Sequence, residues 1–247
     1  MLKVIVLGSG NVGSHLVNLF NDSSQIDLVQ WYSRSEISHK KIEVVNNIDF
    51  LKEADVYIIC VSDNAIKELS SKFTFKNKLV VHTSGSTPFQ IISEQNKRGV
   101  FYPLQTFSYD SNLSFKQIPI LIEANSKINL SKIKKLADIF SKKVYKMNSS
   151  KRLVCHLSAT IANNFSNHMI VSAEKILEEN KINKSIIKPL IFETFNKLNK
   201  MSAKDAQTGP ALRNDYITIE KHVKQLVNSD FLDLYKEVTK NIKSNEL

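Results

Sequence analysis

MLKVIVLGSGNVGSHLVNLF, residues 1–20, holds the stretch that decides the fold: the glycine pattern GSGNVG at residues 8–13. Such a pattern alone fits any tight turn between a strand and a helix, so its flanks carry the argument. To its left, Val4-Ile5-Val6-Leu7 is a continuous apolar run, the mark of a strand buried on both faces of a parallel sheet. To its right, Val12, Leu16, Leu19 and Phe20 recur at helical spacing. At a strand-to-helix junction each glycine has a use. Gly8 permits the turn, Gly10 lets a pyrophosphate approach the backbone, and Gly13 lets helix and strand pack closely. The helix N-terminus adds free N–H groups and a partial positive charge. Gly8, Ser9, Gly10, Asn11, Val12 and Gly13 are therefore candidate cofactor-binding residues.

A second test lies at the tip of the next strand. About twenty residues past the glycines, NAD sites place an acid on the ribose 2′-OH. Here Leu28-Val29-Gln30-Trp31-Tyr32 ends in Ser33-Arg34-Ser35, with no acid at the tip. An arginine between two hydroxyls suits a 2′-phosphate, which a guanidinium grips in bidentate fashion. The expectation is NADP(H), held by Ser33, Arg34 and Ser35, with Lys40 and Lys41 adding charge nearby. The alternative is a solvated loop arginine, with Glu36 reaching the ribose.

Strands and helices continue to alternate over the first half. A short helix at Ile48 to Lys52 precedes the strand Ala54 to Val61, which ends in Ser62-Asp63-Asn64, where Ser62 or Asp63 can cap a helix. Lys78 to Thr83 is another strand, with its tip at His82-Thr83-Ser84-Gly85-Ser86; Thr87-Pro88 then signals a helix start. Val100 to Tyr102 and Ile118 to Ile122 read as further strands, and Leu130 to Phe140 as an amphipathic helix. This alternation predicts a doubly wound parallel sheet, with ligands outside the carboxyl ends of its strands. Val61, Ser62, Thr83, Ser84 and Gly85 stand at those ends and join the cofactor-binding set.

The second half reads as entirely helical. Asn148-Ser149-Ser150 caps a long helix from about Lys151 to Glu179, with Leu153, Leu157, Ile161 and Phe165 on one apolar face. A neighbouring stripe carries His156, Thr160, Asn163 and Asn167, with Asn164 beside it; these are hydrogen-bonding groups that suit a cofactor cleft or an exposed face. A helix from Lys184 to Asn199, mildly interrupted by Pro189, precedes Thr208-Gly209-Pro210-Ala211-Leu212-Arg213-Asn214-Asp215. Arg213 and Asp215 either complete a site or cap and salt-bridge locally. Helical stretches through His222 to Leu226 and Phe231 to Ile242 close the chain. The expected division is residues 1–148 for the nucleotide and residues 149–247 for substrate and dimerisation.

Composition excludes several classes. The 247 residues carry a formal net charge of +10. Their lysines are dispersed beside Asn and Ile, without an aromatic-rich basic stripe or zinc-finger spacing, so no nucleic-acid partner is expected. There is no apolar run of about eighteen residues and no cationic leader, so neither a membrane span nor export is expected. The two cysteines, Cys60 and Cys155, lack metal or disulfide spacing, which fits a reducing cytoplasm.

With GSGNVG, SRS, VSD, HTSGS, FYPLQTFS, ANNF and TGPALRND in this order, the chain resembles bacterial Rossmann-like proteins whose C-terminal half is a helical domain of unknown function. These are similar to a larger group holding pyrroline-5-carboxylate reductase, 6-phosphogluconate dehydrogenase and the β-hydroxyacid dehydrogenases. The resemblance implies a Rossmann domain of NADP type and a helical domain used for dimerisation. One departure matters. The β-hydroxyacid dehydrogenases carry a proton-moving lysine three residues before paired asparagines, and the corresponding position before Asn163 and Asn164 is Thr160. A threonine does not replace a lysine as acid or base at neutral pH. His156, one turn earlier on the stripe, is the first substitute and His82, at a strand tip, the second, because histidine titrates near neutrality.

The function expected is an NADP(H)-dependent oxidoreductase acting on a small anionic carbonyl, imine or hydroxy-acid compound. His156, His82, Asn163 and Asn164 form the catalytic set, and Gln105, Thr160, Arg213 and Asp215 the substrate-binding set, with no metal. Because the missing lysine removes a proton carrier, a non-catalytic NADP(H)-binding sensor or scaffold is the alternative. The apolar helical faces around Phe165, Met169, Leu190, Ile191, Phe192 and Phe195 predict a homodimer through the helical domain, with Thr208 to Asp215 near the cleft of its own or the partner subunit.

Overall fold

The computed structural model describes residues 1–108 and 113–244; residues 245–247, the end of the expected helical domain, lie outside them. The chain forms two compact units, Met1–Asn163 and Asn164–Leu247.

The first unit is built on one sheet. Its strands are β1 (Leu2–Leu7), β2 (Ile26–Tyr32), β3 (Val44–Val45), β4 (Val56–Ile59), β5 (Leu79–His82), β6 (Lys97–Pro103), β7 (Ile120–Ala124) and β8 (Val144–Lys146). Their spatial order is β3-β2-β1-β4-β5-β6-β7-β8. The chain starts in the middle, winds outward to β3, then returns to β4 and winds the other way. The reversal beside β1 is where doubly wound sheets bind ligands. Val4 pairs in parallel with Leu28 on one side and Val56 on the other. Both faces of β1 are covered, so Val4, Ile5, Val6 and Leu7 are fully buried. Val4 and Val6 face the cluster that includes Leu16, Val17 and Phe20 of α1 (Asn11–Asn21) and Ile133, Leu136 and Phe140 of α3 (Lys127–Phe140). Ile5 and Leu7 face the opposite cluster, with Ile66 and Leu69 of α2 (Asp63–Ser71).

The structure corrects the expected elements in several places. β7 runs antiparallel to β6, so the sheet is mostly and not wholly parallel. Among the described residues no α-helix separates these two strands to carry the chain across the sheet. Thr87-Pro88 opens only a 3-10 turn at Phe89–Ile91. Pro88 and Ile92, on either side of that turn, are extended, Ser93 N–H donates to Ser70 Oγ, and Asn96 ties the chain back to Lys78 and Phe75. The segment is thus anchored to the end of α2 instead of winding a helix. The helix expected at Ile48 to Lys52 is also a 3-10 turn, Ile48–Phe50, capped by Asn47. The short strands β3 and β8 were not expected at all.

The long helix begins at Ser149, capped by Asn148, as α4 (Ser149–Ala159). It widens into a π turn at Thr160–Phe165 before continuing as α5 (Ser166–Glu179). That turn inserts one extra residue per turn, so a stripe drawn from His156 to Asn167 at regular spacing does not stay on one face.

The second unit, which takes in α5, continues with α6 (Lys188–Lys197), α7 (Ala203–Ala206), α8 (Tyr216–Gln225) and α9 (Leu232–Ser244). Pro189 lies at the start of α6, after a 3-10 turn, so it opens the helix instead of interrupting it. Much of its apolar surface is uncovered: Leu190, Phe192 and Ile217 are 67%, 66% and 72% exposed.

Candidate functional site

The glycine turn has the geometry its spacing implies. Gly8 has φ +120°, and a Cβ there would collide with the Cys60 carbonyl. A Cβ on Gly13 would collide with the Gly8 carbonyl, which shows how closely α1 approaches β1. At Gly10, the N-cap of α1, a Cβ would meet nothing within 4 Å. Open space therefore stands directly over a helix N-terminus, the arrangement that receives a phosphate. Trp31 of β2, not singled out from the sequence, fixes the turn: its buried Nε1–H donates to the Gly8 carbonyl at 2.9 Å. A lone tryptophan at a strand end was the available signal.

Ser9 and Ser33 share a hydroxyl hydrogen bond of 2.8 Å, joining the glycine turn to the second strand tip. The Ser35 N–H donates to Ser33 Oγ at 3.2 Å, which turns the chain so that Arg34 is exposed. Among the described residues Arg34 makes no ion pair. The loop after β6 folds toward α1, where Asn11 Nδ2 donates to the Phe107 carbonyl and His15 Nε2 to that of Ser108, both at 2.8 Å. Gln105, in this loop, is exposed, and its Oε1 accepts from Thr106 N–H.

At the third and fourth tips, Val61 is half-buried and Ser62 exposed as the N-cap of α2; Asp63 accepts a short hydrogen bond from Ser86 Oγ. Thr83 N–H donates to the Ile59 carbonyl, and Ser84 Oγ accepts from the Ser86 and Thr87 amides. Cys60, at the end of β4, is buried, which pushes its thiol up to about 12.

The two histidines proposed as proton carriers differ sharply. His82 is fully buried; its Nδ1 accepts from Ser84 N–H at 3.1 Å, and among the described residues its sealed Nε2 makes no hydrogen bond. Burial, helped by the nearby Arg152 cation, lowers its pKa to about 4, so it is neutral at pH 7. His156 is half-buried on α4, and its Nδ1 lies 3.0 Å from Tyr102 Oη. Burial also pushes the Tyr102 phenol up to about 12. A Cβ on Gly85 would lie 2.7 Å from both His156 Nδ1 and Tyr102 Cζ, so the HTSGS glycine makes room for this pair.

Arg152, one turn before His156, is fully buried. It forms an ion pair with Glu123 of β7 and donates to the Thr87 carbonyl, while Ser149 N–H and Oγ also bind Glu123. Charges inside otherwise apolar segments were the sequence signal for this network, and for Tyr102 there was none beyond a tyrosine in a strand.

The remaining candidates are more loosely held. Thr160 is half-buried and donates to the His156 carbonyl, whereas Asn163 and Asn164 are exposed in the π turn. In the second unit Asp215 is the N-cap of α8: its carboxylate accepts from Thr218 N–H and Oγ1, and these bonds hold its pKa below the usual value. Arg213 beside it is exposed. The described residues hold no cluster of His, Cys, Asp or Glu suited to a metal, and no helix long and apolar enough to cross a membrane.

Residues 118–242 match the family described as Domain of unknown function (DUF2520). No curated protein matches the chain. Among solved structures, the candidate NADP oxidoreductase BF3122 of Bacteroides fragilis is 32% identical, over 98% of both chains, with a TM-score of 0.89. TM1727 of Thermotoga maritima is 22% identical over 98% of both chains, with a TM-score of 0.80. The pyrroline carboxylate reductase of Plasmodium falciparum, solved with NADP bound, is 15% identical over 98% of both chains, with a TM-score of 0.60. The last two share the fold.

The burial of His82 has a measurable consequence. Its folded pKa lies below the unfolded value of 6.5, so the unfolded chain takes up the proton first as pH falls. Stability is full above pH 6.5 and falls as pH drops toward 4, by up to about 3 kcal/mol at about 1.36 kcal/mol per unit. His82→Asn keeps an acceptor for Ser84 N–H and removes the titration. Urea unfolding across this range should show the variant losing that much less stability than the parent. Parallel losses would mean that His82 is not held neutral.

Proposed function

Because the chain belongs to the DUF2520 family, we propose that it is an NADP(H)-dependent oxidoreductase acting on a small anionic carbonyl, imine or hydroxy-acid compound. The observation that carries this reading is the open space over Gly10 at the N-terminus of α1, where a Cβ would fill a phosphate cradle. The match to a candidate NADP oxidoreductase over almost the whole chain supports it, as does the fold shared with an NADP-bound reductase.

On this reading residues 1–148 bind the nucleotide and residues 149–247 serve substrate and dimerisation. Gly8, Ser9, Gly10, Asn11, Val12 and Gly13 hold the pyrophosphate against backbone N–H groups. Arg34 and Ser35 hold the 2′-phosphate, and Val61, Ser62, Thr83, Ser84 and Gly85 line the remaining strand ends. Ser33, which is buried and bonded to Ser35 and Ser9, sets the turn beneath the phosphate instead of touching it. The bound nicotinamide supplies the hydride. The chain's part is to position and to move protons. His156 meets the reacting atom, with Gln105, Thr160, Asn163 and Asn164 as orienting groups. Neutral, enclosed His82 shapes the Ser84 amide instead of carrying a proton. Arg213 takes a substrate carboxylate, and Asp215, engaged as a cap, supports the Arg213 loop.

Arg34→Ala should weaken NADPH binding about ten- to a hundredfold, or about 1.5–3 kcal/mol for a lost charge-assisted grip, with little effect on NADH. Fluorescence titration with both nucleotides tests this; equal affinities in the parent would remove Arg34 from the site. Gly10→Val should fold, since nothing stands within 4 Å of the new Cβ, yet fail to bind NADPH. A folded variant, judged by circular dichroism, that binds normally would sink the cradle. The exposed Leu190, Phe192 and Ile217 support a homodimer through the helical domain, burying at least about 2,000 Å². A monomer by light scattering at micromolar concentration would end that part of the proposal.

A further inference from the structure

Building on the reading of His156 as the group that meets the reacting atom, we infer that Tyr102 locks His156 in its Nε2–H tautomer, so that the site offers a hydrogen-bond donor to a carbonyl oxygen and not an acceptor to a protonated imine. Tyr102 Oη and His156 Nδ1 are 3.0 Å apart, with the rings edge-on at 74° and 5.9 Å between centroids. Gly85 confines the pair, and the helix that carries His156 is held on either side of it. Gly85 leaves no room for even a methyl group against either ring. Arg152, one turn earlier, is anchored to Glu123 and the Thr87 carbonyl, and Thr160 Oγ1 donates back to the His156 carbonyl at 3.0 Å.

The direction of the hydrogen bond follows from the chemistry of the two groups. An imidazole nitrogen lone pair is a far stronger acceptor than a phenolic oxygen, and a phenol is the better donor. Burial keeps the Tyr102 hydroxyl protonated, its pKa pushed up to about 12. Were His156 Nδ1–H the donor, the phenolic hydrogen would have no acceptor among the described residues. With Nδ1 occupied as an acceptor, the neutral ring carries its one proton on Nε2. Among the described residues Nε2 makes no hydrogen bond, and it is not one of the sealed, unpartnered atoms.

A donor at this position selects its ligand. A carbonyl oxygen presents lone pairs to Nε2–H and is polarised by it, as reduction requires. An iminium N–H would set donor against donor. Tyr102 is therefore a positioning residue that acts through His156 and sets the site against a protonated imine.

Long-range nitrogen–proton NMR of the full-length, nitrogen-15-labelled protein at neutral pH reads the tautomer directly. The His156 signals are identified by their loss in His156→Asn. The expected spectrum shows a pyridine-type Nδ1 and a pyrrole-type Nε2, and in Tyr102→Phe both signals move toward their mean as the tautomers mix. Any other form of His156 in the parent, or an unchanged spectrum in a Tyr102→Phe protein with native circular dichroism, overturns the inference. The parent spectrum alone decides if that variant does not fold. Titrating the same parent sample with NADPH separates the two readings: failure to bind would overturn the oxidoreductase reading while leaving the tautomer measured.

Discussion

The contact between Arg152 and Glu123 fixes where α4, and with it His156, stands in the first unit. An arginine and a glutamate withdrawn from water are costly to bury, and the cost is offset only when each is closely paired and further hydrogen-bonded. Here Glu123 gathers Arg152 and both polar groups of Ser149, and Arg152 adds the Thr87 carbonyl. One carboxylate thereby ties the first turn of α4 to β7 and to the loop after β5. His156 comes one helical turn later, so its place beside Tyr102 and Gly85 is inherited from this anchor. Removing one partner would leave the other charged and buried, which in comparable settings costs about 3–5 kcal/mol.

Much of the first unit was legible because its signals are local. Val4 to Leu7 reads as a central strand since both faces are covered, and the three glycines do three different jobs within six residues. What escaped the reading depends on distant partners. β3 and β8 are two and three residues long and exist by pairing with β2 and β7. β7 pairs antiparallel with β6, and a strand's residues do not encode its direction. The π turn at Thr160–Phe165 carries the same residue pattern as an α-helix, so regular spacing was carried past it.

The candidate site shows the same limit. His82 and His156 look alike as isolated histidines among apolar neighbours. One closes a central strand and is sealed; the other sits on a helix over a glycine and finds a phenol. Trp31, Tyr102 and Glu123 resemble ordinary strand residues until their partners, Gly8, His156 and Arg152, arrive from elsewhere in the chain. Asp215 shows the alternative its position offered, capping the start of α8.

The packing of Cys60 against the glycine turn turns an inert thiol into a gauge. Its carbonyl occupies the space a side chain at Gly8 would need, and its sulfur is buried with almost no thiolate at neutral pH. Alkylating reagents reach such a sulfur only when the core around it opens. The rate at which Cys60 is modified therefore clocks the local opening of the core beside the turn.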